Sequence, residues 1–209
     1  VAGLFITFEG GDGAGKSTQA AMLEKWLADA GREVVRTREP GGTPLGVQLR
    51  EIVLHSRDHL DERAEALIYA ADRAHHIQSV VRPAIERGAV VVQDRYLDSS
   101  VAYQGAGRGL GEERIRDLSM WATRELRPDL TVLLDLDVVE GKRRLASDNK
   151  PFDRLESEAL EFHSRVREAF LAIANAEPDR VLVVDATLPP DEIADLIRHR
   201  VSALDSSLN

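Results

Sequence analysis

Between an apolar run, Leu4–Phe8, and an amphipathic stretch beginning at Lys16 stands Gly10-Gly11-Asp12-Gly13-Ala14-Gly15-Lys16-Ser17. The pattern G-x-x-x-x-G-K-[S/T], with a strand before it and a helix after it, constrains the fold more than any other feature of the chain. Glycines at these positions let successive backbone N–H groups turn inward around phosphate oxygens. The helix that follows adds the positive end of its dipole. Lys16 is placed to reach the β- and γ-phosphates of a nucleotide and Ser17 to bind Mg²⁺. A glycine-rich turn without a ligand is the competing reading, and the strand-then-helix context disfavours it. The motif is silent about what receives the phosphoryl group.

The rest of the chain alternates short apolar runs with longer helical patterns. Strands are expected at Leu4–Phe8, Glu33–Thr37, Ala89–Gln93, Leu130–Leu136 and Val181–Val184. Helices are expected over Lys16–Ala30 with Gly31 as its stop, Leu45–Leu54, Asp61–Arg87 with a kink or restart at Pro83, Glu112–Leu126, Val138–Ala146, Leu155–Ala176 and Pro190–Leu204. Continuous apolar strands separated by helices imply an α/β fold, a five-stranded parallel sheet with helices on both faces. Ligands of such sheets bind at the carboxyl ends of the strands, where the motifs of this chain fall.

Composition limits the partners. The 209 residues contain no linker-like tract, which predicts one domain over 1–209. A net charge of −9 gives no bulk attraction for nucleic acid or anionic membrane, so phosphate binding must come from cations that converge locally. No apolar run approaches the ~18–20 residues of a membrane span, and no basic start with a cleavage site marks a signal peptide. Cysteine is absent, which excludes disulfides and thiolate metal sites and fits a cytoplasmic location. The six histidines, His75-His76 among them, show no zinc spacing and read as surface or packing residues.

Asp94-Arg95 ends the third strand. Alone it reads equally as a surface ion pair or as a Walker B-type acid that holds the Mg²⁺ shell; the glycine-rich loop favours the second. Asp94-Arg95-Tyr96 followed by Ser99-Ser100-Val101-Ala102-Tyr103-Gln104-Gly105 resembles the signature of bacterial thymidylate kinases, P-loop nucleoside monophosphate kinases. Three further segments agree in order: Phe8-Glu9-Gly10 through Ser17-Thr18-Gln19, Thr37-Arg38-Glu39-Pro40-Gly41-Gly42-Thr43, and Tyr69-Ala70-Ala71-Asp72-Arg73. The resemblance runs from about Leu4 to Ile197.

That resemblance implies the P-loop NTPase fold with a small lid, transfer of the γ-phosphoryl group of ATP to dTMP with Mg²⁺, and a homodimer. It implies ATP binding by Gly10, Gly11, Asp12, Gly13, Ala14, Gly15, Lys16, Ser17, Thr18 and Arg144, and Mg²⁺ binding by Ser17 and Asp94. Tyr69 is expected to stack on thymine and Arg73 to donate to a base carbonyl. Ser100 and Gln104 take the polar edge of the base, and Tyr103 lies against the deoxyribose. Arg50 and Arg95 resemble the pair that clamps the acceptor phosphate. Asp12 resembles the carboxylate that holds the sugar 3′-hydroxyl. Without the registration of all these positions, Tyr69 reads as a core residue, and Arg50 and Arg73 as solvated helix positions.

The lid, about 147–154, offers Arg143, Arg144, Lys150 and Arg154 as cations. Asp153-Arg154-Leu155-Glu156 matches the family, whereas Asn149-Lys150-Pro151 stands where an Arg-Gly pair is common. Lys16, Arg95, Asp12 and Arg154 are the candidate catalytic residues. A phosphate monoester has a second pKa of ~6, so the acceptor is already a nucleophilic dianion at neutral pH and needs no general base. Alignment and charge neutralisation carry the rate. The alternatives are a kinase of another nucleoside monophosphate, a GTP-binding switch, and a nucleotide-binding module without catalysis. Asn149-Lys150-Pro151-Phe152-Asp153 misses the guanine motif of the switch by one residue. Asp135 and Asp137 are expected to bond loops.

Overall fold

The five apolar runs become the strands of one parallel sheet in the computed structural model, which describes residues 3–56, 59–147 and 151–205. They are β1 (Leu4–Glu9), β2 (Val34–Arg38), β3 (Val90–Asp94), β4 (Leu130–Asp135) and β5 (Val181–Asp185), in the order β2-β3-β1-β4-β5. The three central strands are buried almost throughout, as runs without alternation require, while β2 and β5 are partly exposed edges. The register places Asp94 level with Phe8 on one side and Arg38 on the other. Three strand ends are thereby flush where the glycine-rich loop begins.

Helices cover both faces. On one, α1 (Lys16–Asp29) and α9 (Pro190–Leu204) pack Leu23, Leu27, Ile193, Ile197 and Val201 against Ile6, Phe8, Val132 and Leu134. On the other, α8 (Leu160–Ala176) brings Phe162, Val166, Phe170 and Ile173 onto Tyr103 and Leu133. Local signals set several ends. The Thr43 hydroxyl accepts from Gly46 N at 2.9 Å to cap α2 (Pro44–His55), and Asp61 caps α3 (Glu62–His76) through the N–H groups of Arg63 and Ala64. Asp137 takes Val139 N and Glu140 N at the start of α7 (Val138–Ser147), and Asp135 pairs with Arg167, the loop-bonding roles expected of both.

Four expectations change. The helix expected over Asp61–Arg87 divides into α3, a π-helical segment Ile77–Val81 and α4 (Arg82–Glu86). The break precedes Pro83: Arg82 N–H bonds to Ile77 O, and this wider turn absorbs the crowding a proline ring causes one turn back. Helix α6 (Glu112–Thr123) stops before Leu126, because Arg124 and Glu125 turn left-handed and Arg82 takes the carbonyls of Thr123 and Arg124. Helix α8 begins at Leu160, not Leu155. Asp153 and Glu156 cap each other's backbone and close a single separate turn ahead of it. Residues 97–107, expected to carry only a motif, form α5 (Leu97–Ser100) and a π-helical segment Val101–Gly107. Gly107 serves close packing there, since a Cβ would stand 2.7 Å from the Phe162 ring.

Glu9, the last residue of β1, holds this segment to the sheet. It is fully buried, and it accepts from Tyr96 N (2.8 Å), Ser99 N (3.2 Å) and Ser99 Oγ (2.5 Å). Burial, and then the neighbouring Asp98 carboxylate, push Glu9 up from 4.5 to about 7, against the opposing pull of Ser99, Arg95 and Tyr96. Between those pH values the folded chain keeps a proton that the unfolded chain has lost, so this group makes stability fall as pH rises. Wild type is expected to lose on the order of 3 kcal/mol relative to Glu9→Gln between pH ~4.5 and ~7, with no further change above. Urea unfolding across that range checks it; a constant difference would show that Glu9 keeps no proton in the fold.

Candidate functional site

The loop after β1 is shaped by its backbone. Gly10 has φ +126°, and a Cβ there would lie 2.4 Å from Leu134 O on the adjacent strand. Gly15 precedes α1 without any side-chain cap, which leaves the first N–H groups of the helix facing the loop. Lys16 lies buried over this loop, its Nζ donating to Gly10 O (3.1 Å) and Gly11 O (2.8 Å). Burial, and then Arg95, lower its pKa below the usual lysine value. An incoming phosphate gives that ammonium a better partner than two carbonyls.

Ser17 Oγ donates to Asp94 Oδ2 at 2.8 Å, across the step from α1 to the end of β3. Two hard oxygens at that spacing, one of them a carboxylate, suit Mg²⁺, which takes few protein ligands and fills its octahedron with water and phosphate oxygens. Among the described residues no group of three or more His, Cys, Asp or Glu side chains forms a metal cluster. Ser17 and Asp94 open onto a broad cavity of about 480 Å³, shared with Gly13, Gly15, Lys16, Thr18, Arg38 and Arg144.

A second, smaller cavity of about 120 Å³ lies beside it. Arg50, Tyr69, Arg73, Arg95, Ser100, Tyr103 and Gln104 all line it, so the structure brings together every residue expected at the acceptor. Asp12, Arg50 and Arg95, with Glu39, line both cavities and form the wall between them. Arg95 has a left-handed backbone, φ 65°, uncommon for a residue with a side chain. Its guanidinium pairs with Asp12, donates to Gly10 O (3.2 Å) and Ser99 Oγ (3.1 Å), and lies 5.1 Å from the centre of the Tyr103 ring. The Tyr103 hydroxyl is 3.3 Å from Asp12 Oδ2, closing a triangle of Asp12, Arg95 and Tyr103. Burial would raise the Asp12 pKa; Arg95 and then Lys16 outweigh it and hold the carboxyl at about 2.

Arg73 departs furthest from a solvated helix position. It is 2% exposed and donates to Glu39 Oε2 (2.8 Å), Ser100 Oγ and Ser119 Oγ (3.1 Å each) and Tyr96 O (3.2 Å). Burial works against ionisation of Glu39, but Arg73 and His76 keep it below the ordinary carboxylate range. His76 is fully buried, its Nδ1 2.9 Å from Glu39 and its Nε2 2.7 Å from the Thr37 hydroxyl, which bears out the packing role; His75 is exposed.

The lid cations separate. Arg144 lines the larger cavity, anchored by Glu140 and Ala186 O, while Arg143 stays exposed on Glu140. Arg154 does not reach the glycine-rich loop: it donates to Val53 O (2.9 Å) and Glu65 Oε2 (2.5 Å), outside the smaller cavity. Lys150 lies outside the described residues. The sequence reading gave no role to Arg38, although the Thr37–Thr43 segment contains it; at the end of β2 it lines the larger cavity and, after burial, is the main charge that lowers the Arg50 pKa. Nor did it give a role to the buried glutamates Glu9 and Glu39, which lie within motif segments, or to Glu65, which lies in none of them.

Comparison with known proteins adds independent support. Residues 8–197 match the thymidylate kinase family. The thymidylate kinase of Clavibacter michiganensis subsp. michiganensis is 66% identical over 202 residues, covering 97% of this chain and 96% of its own. That of Deinococcus radiodurans is 54% identical over 191 residues, covering 91% and 92%. The crystal structure of thymidylate kinase from Ehrlichia chaffeensis superposes with a TM-score of 0.78 at 30% identity, covering 98% of this chain and all of that one. The fold, the strand-end loop and matches spanning nearly the full length agree: the chain belongs to the thymidylate kinase family.

Proposed function

We propose that the chain phosphorylates dTMP to dTDP at the expense of ATP, by direct in-line transfer across the wall formed by Asp12, Arg50 and Arg95. The observation that carries this is the shared wall: one cavity opens on the glycine-rich loop, the other is lined by an aromatic ring and convergent polar groups, and the same two arginines face both. In this reading residues 10–18 and Arg144 hold ATP, and Lys16 leaves its loop carbonyls for the β- and γ-phosphates. Ser17 and Asp94 would hold Mg²⁺, which supplies charge neutralisation to the phosphates when bound.

Arg50 and Arg95 hold the acceptor phosphate in line. Asp12 takes the 3′-hydroxyl, and the Tyr103 ring stands where a 2′-hydroxyl would collide. Tyr69 stacks on the base, whose polar edge meets Arg73, Ser100 and Gln104. Arg154 assists the transferring group only by leaving Glu65 and Val53. The same proposal takes residues 1–209 as one domain with a lid at about 147–154, working in the cytoplasm without nucleic-acid partners; no described helix is long and apolar enough to cross a membrane. It also includes a homodimer. Leu67 on α3 and Trp121 on α6, 57% and 77% exposed on two helices packed side by side, supply apolar surface for the partner.

ADP release from ATP, with each nucleoside monophosphate offered in turn, tests the reading; dTMP is expected to give the highest kcat/KM, and another preferred acceptor would overturn it. Lys16→Ala is expected to abolish transfer while calorimetry shows dTMP affinity nearly unchanged. Equal loss of dTMP affinity would mean that the donor and acceptor sides are wrongly divided. Arg154→Ala separates two roles for that residue. A transition-state cation removed should lower kcat by an amount on the order of 2–4 kcal/mol with little change in either KM. A mere brace for Glu65 should raise the KM for dTMP instead.

A further inference from the structure

Glu65 lies on the inner face of α3 one turn before Tyr69 and two before Arg73, and it is fully buried. Four donor contacts converge on its carboxylate. Gln104 Nε2 stands 2.7 Å from Oε1, Arg108 reaches both oxygens at 3.4 and 3.2 Å, and Arg154 Nη2 lies 2.5 Å from Oε2. A carboxylate shared by two guanidinium groups offers lone pairs and no proton, so its only possible contact with the Gln104 amide is to the NH₂ end. The orientation of a buried glutamine is ordinarily ambiguous; this partner leaves one solution. Gln104 Oε1 therefore faces away from Glu65. Gln104 lines the smaller cavity, and no described residue donates to that oxygen.

The neighbouring group is fixed in the opposite sense. Ser100 Oγ accepts from Arg73 Nη1 at 3.1 Å, which leaves the Ser100 hydroxyl proton to be given away. Beside the Arg73 guanidinium, Ser100 and Gln104 thus present one donor and one acceptor to the cavity. Thymine complements that pair with its O4 acceptor and N3–H donor. Cytosine, a ring of the same size, shows the reverse at both places: an amino donor at C4 and a bare N3 lone pair.

We propose that Glu65 is a specificity-positioning residue: by capturing the Gln104 NH₂ it holds the Gln104 carbonyl toward the base, so that the site takes a pyrimidine with an N3–H and rejects cytosine. The inference rests on reading the smaller cavity as the base site. Glu65 touches no substrate; it acts through Gln104. A site whose polar groups are fixed before binding discriminates strongly against a ligand that leaves them unpaired, whereas an amide free to turn would serve either base.

The test measures kcat/KM for dTMP, dUMP and dCMP in wild type, Glu65→Gln, Gln104→Met and the double variant. A glutamine at 65 can give or take, so it releases the Gln104 amide. The dTMP:dCMP ratio is expected to fall about tenfold or more in Glu65→Gln. The dTMP:dUMP ratio is expected to stay within about twofold, because those bases share the N3–H edge, whereas a general loosening of the site would move both. The double variant is expected to match Gln104→Met alone, since Glu65 has no other route to the base. If Gln104→Met loses the ratio and Glu65→Gln keeps it, this proposal is overturned and the base-site reading stands. If Gln104→Met keeps the ratio, the base-edge role of Gln104 is wrong and the proposal goes with it. Should Glu65→Gln fail to fold, NMR on the wild-type protein decides. The Gln104 side-chain NH₂ signals, assigned by their loss in Gln104→Met, are expected to exchange slowly with solvent and keep their shifts when dTMP binds. A large shift on binding would mean that the NH₂ turns to the base, which overturns the proposal.

Discussion

Asp94 is level with Phe8 and with Arg38, because β3 pairs in parallel with both β1 and β2. Everything at the site is measured from that register. The glycine-rich loop leaves β1 two residues past Phe8, so Ser17 comes back within 2.8 Å of Asp94. Arg95, the next residue along, crosses to Asp12 and Gly10. Side chains alternate along a strand, and a slip of one residue would turn Asp94 away and bury Arg95 in its place. Drawing a charged residue into the buried run of β3 opposes the slip. The register that folds the sheet is thus also what brings the oxygens of Ser17 and Asp94 and the guanidinium of Arg95 to one line.

Beneath that line, three buried glutamates each grip a different segment. Glu9 ties residues 96–99 to the end of β1; Glu39 ties Arg73 and His76 of α3 to the end of β2; Glu65 ties Gln104, Arg108 and Arg154 together. Buried ion pairs recover little more than the desolvation they cost, and apolar substitutes are often no less stable. Their value here is directional. An apolar pocket would pack Arg73 poorly and aim nothing, whereas Glu39 on Nε and Tyr96 O on Nη2 fix the guanidinium plane beside Ser100.

This division explains what could be read from the sequence. The strands and the glycine-rich loop were legible because apolar runs and spaced motifs are local signals, whereas seven of the residues that line the smaller cavity were legible only through the resemblance to a family. Residues 97–107 were not. Ser99-Ser100, Gly105 and Gly107 have poor helix propensity, and the segment is helical because Glu9 and the close approach of α6 and α8 make it so. Glu9 and Glu39 fall inside motif segments and Glu65 in none, but nothing local says that any of the three carboxylates will be buried or by whom it will be paired. Arg154 shows the limit of a motif: Asp153-Arg154-Leu155-Glu156 matches a family pattern, but where its guanidinium rests is decided by Glu65, some ninety residues earlier in the chain.

That contact also bears on whether Arg154 could take the part proposed for it. Glu65 divides its oxygens, with Gln104 on Oε1, Arg154 on Oε2 and Arg108 bridging the two. If Arg154 were its only cation, drawing Arg154 away to a phosphate would strand a buried carboxylate, at a cost of several kcal/mol. Arg108 removes that obstacle. It is 12% exposed, anchored at its far end by Glu158 at 2.5 Å, and its guanidinium lies 4.9 Å from the centre of the Phe162 ring. With Arg108 in place, Glu65 keeps a charge partner and Gln104 keeps its acceptor whether or not Arg154 is present. On the proposed reading, the Gln104 edge therefore stays set while the cation beside it is free to exchange partners, which would let Arg154 move without loosening the grip on the acceptor.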